Sequence, residues 1–114
     1  MDNSELVIFV DVDDTLVRTV GTKHIPIVPT IRHIRQLKAD GVQLFCWSAG
    51  GAEYAKQMAS NLGILDCFAA FIPKPHVMID DQAPGEWKRT LLIHPATCAE
   101  HSVATYHAAL DPNR

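Results

Sequence analysis

A chain of 114 residues with a hydrophobic fraction of 47% and a net charge of −3 is sized for one domain, residues 1–114, built on one core. Mild acidity without any Lys/Arg run excludes a general electrostatic pull toward nucleic acid, so a nucleic-acid partner is not expected. No apolar run approaches membrane-spanning length and the start MDNSE lacks the pattern of a secretion signal, so the expectation is a cytoplasmic protein with no membrane partner.

The first element is the stretch 6–16, LVIFVDVDDTL. Val7, Ile8, Phe9 and Val10 are apolar without alternation, as in a strand of a parallel sheet covered on both faces. The run stops at Asp11, Asp13 and Asp14, which places carboxylates at the C-terminal end of a strand, where open α/β sheets bind ligands. Like charges packed this closely repel, and a bound cation would offset the cost. All-oxygen donors favour Mg²⁺.

Residues 17–29 carry Gly21, Pro26 and Pro29 around a short β-prone piece and read as a turn plus a small hairpin, with Lys23 and His24 near its tip. Residues 29–40 have the grammar of a helix: Pro29 in the first turn, Ile31, Ile34 and Leu37 on one face, and Gly41 as the stop. A second buried strand, 42–47, ends in Ser48-Ala49-Gly50-Gly51, and a helix over 52–62 turns Ala55, Met58, Ala59 and Leu62 inward. Trp47 is expected in the core.

Further strands are predicted at 67–72 (CFAAFI), 76–81 (HVMIDD) and 89–94 (RTLLIH). Thr97 and Glu100 have capping-box spacing for a closing helix with Ala99, Val103, Tyr106 and Leu110 on its apolar stripe. Alternating strands and helices predict an α/β fold: a three-layer α/β/α sandwich around a mainly parallel five-stranded sheet. Cys46, Cys67 and Cys98 are odd in number and widely spaced, which fits reduced thiols rather than a disulfide framework or a zinc site.

Asp11-Val12-Asp13-Asp14-Thr15-Leu16 after four apolar residues resembles the first motif of the haloacid dehalogenase-like (HAD) superfamily, a Rossmannoid group consisting mostly of phosphatases and phosphotransferases. Ser48 resembles its second motif, and Asp80 and Asp81 after Val77-Met78-Ile79 resemble its fourth. The resemblance implies that Asp11 attacks phosphorus and Asp13 is the general acid/base. It further implies that Ser48, Ala49, Gly50 and Lys74 hold the phosphate, and that Asp11, Asp13, Asp80 and Asp81 form the Mg²⁺ site. It makes residues 17–29 a flap and the chain a capless member, with an open site for a phosphorylated small molecule or macromolecule, or a site covered by a second subunit of a homo-oligomer.

Lys74, in Ile72-Pro73-Lys74-Pro75, is the candidate for the basic third motif, with Lys88 as the alternative. Only five residues separate Lys74 from Asp80, and a straight strand of that length spans roughly 20 Å. Such a strand would leave Lys74 at the wrong end of the sheet unless residues 67–75 hook over its edge or cross it. The implied function is a Mg²⁺-dependent phosphomonoesterase working through an aspartyl phosphate. Two other readings are a non-enzymatic binding module on the same fold and a phosphoacceptor receiver domain, although Phe45-Cys46-Trp47-Ser48 stands where a receiver needs its acceptor Asp.

Overall fold

The computed structural model describes residues 2–111. In chain order its elements are β1 (Val7–Val10), β2 (Val17–Val20), β3 (Lys23–Pro26), α1 (Val28–Ala39), β4 (Gln43–Ser48), α2 (Ala52–Asn61), β5 (Ala70–Pro73) and α3 (Val103–Leu110), with short 3-10 turns between. Among the described residues β1, β4 and β5 form a parallel sheet in that order, and β2 and β3 form a separate antiparallel pair, the expected hairpin. Val10 pairs with Cys46 and Cys46 with Phe71, so the strand ends carrying Asp11, Ser48 and Pro73-Lys74 lie along one edge.

Both crossovers, through α1 and through α2, add the next strand on the same side, and right-handed connections then put both helices on one face. Ile34 and Leu37 of α1 and Ala55, Met58 and Ala59 of α2 share one buried cluster with Val10, Leu44 and Cys46 of that face. Leu16, Leu37, Leu44 and Ile64 are the largest fully buried side chains, each worth about 1.5–3 kcal/mol of apolar transfer. The opposite face carries Phe9, Phe45 and Trp47, with Phe9 packed edge-on against Trp47 at 4.9 Å between centroids. Phe9 is 44% and Val7 50% exposed.

The α/β class and the mainly parallel sheet are as the sequence implies; the five strands and three layers are not formed among the described residues. The Lys74 amide donates to the Ser48 carbonyl at 2.9 Å, so the chain leaves β5 already at the C-terminal edge. A parallel strand over 76–81 would have to start from the other end of the sheet, and Pro75 alone cannot cover that return. These residues are irregular instead, with Val77 77% and Ile79 fully exposed. The stretch 89–94 is irregular as well, with Leu92 exposed. Of the run 67–72, Cys67 ends a 3-10 turn and the strand begins only at Ala70.

The closing helix also starts later than its spacing suggests. Thr97 leads into a 3-10 turn (Cys98–Glu100), and the capping box is made by Ser102, whose Oγ accepts from the Thr105 amide while the Thr105 hydroxyl accepts from the Ser102 amide. α3 buries Val103 and Tyr106, and the Tyr106 hydroxyl shares a 2.7 Å hydrogen bond with His33 Nε2 of α1. This third helix therefore joins the layer already present. No helix among the described residues is long and apolar enough to cross a membrane.

Candidate active site

Val12 has no exposure at all, and its carbonyl accepts from the amides of Thr15, Leu16 and Val17. With Val12 anchored inward, its neighbours Asp11 and Asp13 both face away from the core. The turn closes through Asp14, at φ 61, whose amide donates to the Val17 carbonyl at 2.7 Å. A left-handed residue is what reverses the chain this tightly, and Asp tolerates it better than most side chains.

Asp11 meets Lys74: Nζ stands 3.2 Å from Oδ1, with the lysine side chain 39% and the aspartate 32% exposed. The hydroxyl of Thr15 lies 3.4 Å from Asp11 Oδ2. The lysine is thus at the acid-bearing edge, because β5 ends at Pro73 and residue 74 hooks back onto the Ser48 carbonyl. Trp47 is half-buried rather than core, and Lys74 Nζ sits 5.7 Å from its ring centroid, a cation–π contact that steadies the ammonium. Beneath the pair, burial first and then the charge of Asp11 push the Cys46 thiol up to about 12, so it remains protonated.

Asp13 is held from two elements. The Tyr54 hydroxyl, from the first turn of α2, donates to Asp13 Oδ1 at 2.7 Å. Thr19 of β2 lies 3.4 Å from the same oxygen and 3.1 Å from His24 Nδ1 of β3, which ties the β2–β3 hairpin to the acid. Desolvation, the hydrogen bond to Asp13 and the charges of Asp13 and Asp11 push the Tyr54 hydroxyl up to about 12, which keeps it a donor. Tyr54 carries no signal along the chain, since its reach to Asp13 depends on how α2 is phased relative to β1. Lys23 and His24 are exposed on the hairpin.

Ser48 is 1% exposed, and its Oγ accepts from the Gly50 amide at 3.0 Å. Its carbonyl takes both the Gly51 and Lys74 amides. Ser48 therefore shapes the loop 48–51 and still has a hydroxyl proton to donate. It does not cap α2; the N-cap is Gly51, at φ 105, a conformation that favours glycine. Ala49 and Gly50 are exposed at the same edge.

Asp80 and Asp81 are exposed, and Asp80 Oδ1 accepts from the Gln82 amide at 2.9 Å, closing a local turn. Among the described residues no three acid, His or Cys side chains are grouped to hold a metal ion, so the four-acid site is not assembled. The reason is the missing strand: no element carries residues 80–81 to the edge where Asp11 and Asp13 stand. Asp11 and Asp13 offer hard oxygen donors, and Mg²⁺ commonly binds through one or two carboxylates completed by water and substrate phosphate. The donor set fits that mode.

No protein-family profile matches this chain, and no curated protein matches it. Among solved structures, the crystal structure of a target protein from Vibrio cholerae superposes with a TM-score of 0.56, covering 96% of this chain and 99% of that one, at 18% identity. A likeness at that identity speaks for the fold alone.

Proposed function

We propose that the chain is a phosphomonoesterase that forms an aspartyl phosphate on Asp11. The observation that carries the reading is the pairing of Asp11 with Lys74 at the C-terminal edge of a parallel sheet, beside an Asp13 fixed by Tyr54. A lone carboxylate repels a phosphate ester; one whose charge is partly met by an ammonium 3.2 Å away can approach it.

In this mechanism an Asp11 oxygen attacks phosphorus as the bond to the leaving oxygen breaks, and Asp13, carrying the proton, donates it to that oxygen. Asp13 then accepts a proton from water as the water oxygen attacks the aspartyl phosphate, which releases phosphate and restores Asp11. Lys74, the Ser48 hydroxyl and the loop 48–51 steady the phosphoryl oxygens. Mg²⁺ belongs to the proposal as a cofactor that an Asp11 oxygen would hold together with water and the substrate phosphate, leaving Asp13 free for proton transfer; when bound, it would offset the negative charge of carboxylate and phosphate. With only the β2–β3 hairpin beside the site among the described residues, the substrate is a phosphorylated macromolecule or a small ester, and a second copy of the chain is the candidate cover for the latter.

The unassembled position of Asp80 and Asp81 favours one second reading, a binding module without turnover. Hydrolysis of 4-nitrophenyl phosphate with and without Mg²⁺ separates the two. Steady Mg²⁺-stimulated turnover, silenced by EDTA and abolished in a folded Asp11→Asn variant, supports the enzyme. A single stoichiometric phosphorylation would instead indicate a receiver, and silence of the folded protein would indicate the module. Undiminished turnover by Asp11→Asn would refute the nucleophile.

A further inference from the structure

We infer that Tyr54 is a positioning residue for proton transfer to the leaving group, acting through Asp13. The inference rests on the phosphomonoesterase reading and adds to it a group from outside the four motifs.

Two donors from separate elements, Tyr54 on α2 and Thr19 on the flap, converge on the same Asp13 oxygen, Oδ1. That leaves Oδ2 as the atom to carry the transferable proton and fixes the plane of the carboxyl group. Rotation about the terminal carboxylate torsion is otherwise soft, because sp³–sp² torsions have broad wells. A general acid that swings in and out of line loses much of its effect, since proton transfer needs the donor within hydrogen-bond reach of the leaving oxygen.

The ring of Tyr54 lies beside Gly50 of the loop that follows Ser48. A Cβ at Gly50 would lie 3.0 Å from Tyr54 Cδ2 and 3.3 Å from Cγ, tighter than most such contacts. A side chain at Gly50 would therefore crowd the tyrosine ring. On its other side the ring faces His24 of the flap, edge-on at 6.3 Å between centroids. The loop proposed to approach the phosphate and the acid proposed to protonate the leaving oxygen thus have Tyr54 as a common neighbour.

The experiment compares Tyr54→Phe with the unaltered protein on two esters of similar shape, 4-nitrophenyl phosphate and phenyl phosphate. Nitrophenolate leaves well without a proton, whereas phenolate needs one. kcat/KM covers only the steps through loss of the leaving group, so it isolates the acid role. The expected result is a loss of kcat/KM on phenyl phosphate on the order of 10-fold larger than on 4-nitrophenyl phosphate, a part of the roughly 10²–10⁴-fold a general acid supplies. In an Asp13→Asn background the same tyrosine change should have no further differential effect.

Equal losses on both esters, or none, in an active parent overturn this inference alone, because a merely structural tyrosine cannot tell the leaving groups apart. An additional differential loss in the Asp13→Asn background also overturns it, since the tyrosine would then act through another group. A folded parent inactive on both esters overturns this inference together with the phosphomonoesterase reading.

Discussion

Replacing Lys74 by Met separates what holds the fold from what serves the site. The ammonium makes an ion pair of 3.2 Å with Asp11, but the two side chains are 39% and 32% exposed, so water screens much of the attraction. Pairs of this kind contribute about 0.2–1 kcal/mol, and the contact over the Trp47 ring adds about 0.5–1 kcal/mol. Methionine keeps most of the hydrocarbon stem, so the unfolding free energy should fall by less than about 2 kcal/mol on those magnitudes. Turnover should fall much further. In the proposed mechanism the lysine is a cation beside the attacking oxygen, 3.2 Å from Asp11 Oδ1, and losing one such stabilising group costs on the order of 10²–10³-fold in kcat. Urea unfolding followed by tryptophan fluorescence reads the first quantity, and 4-nitrophenyl phosphate hydrolysis under saturating Mg²⁺ reads the second. A variant with undiminished kcat, or one destabilised by more than about 3 kcal/mol against the pair magnitudes above, would refute the assignment of Lys74 to chemistry.

Leu44 is 1% exposed between α1, α2 and the sheet, so Leu44→Ala should lower the unfolding free energy by about 2–5 kcal/mol, read as a fall in the urea midpoint at unchanged slope. Acidification should also weaken the fold through His33, whose folded-state pKa is held below the ordinary 6.5 by burial and then by the charge of His101. In the window below 6.5 the unfolded chain takes up the proton before the folded one, so stability rises with pH and is lost as pH falls. Thermal melts from neutral to about pH 5 should therefore fall less steeply for His33→Gln than for the parent, and equal slopes would refute that role.

The acid-bearing strand and the Ser48 loop were legible because a continuous apolar run that stops at acids, or at a Ser-Ala-Gly-Gly step, has one natural place in an α/β sheet. The hairpin was legible from Gly21, Pro26 and Pro29. Lys74 was legible as a residue and ambiguous as a position. Its place at the acid edge follows from β5 ending at Pro73, a matter of register with β4 that spacing along the chain does not contain. Residues 76–81 look like a strand by composition, yet a strand also needs a neighbour and a direction, and the exit of β5 at the C-terminal edge takes away the direction. Tyr54 was hidden for a related reason: it sits 41 positions from Asp13, and only the packing of α2 brings them together.

β1 has β4 on one side and no strand on the other among the described residues, and its outward side chains Val7 and Phe9 are half exposed. Such a bare margin is a template onto which another molecule can crystallise its own backbone, lane by lane. Concentration is therefore a variable to control when handling the protein. Samples should stay clear when dilute and grow cloudy as they are concentrated, and a lysine in place of Phe9, inserted into that growth front, should keep them clear.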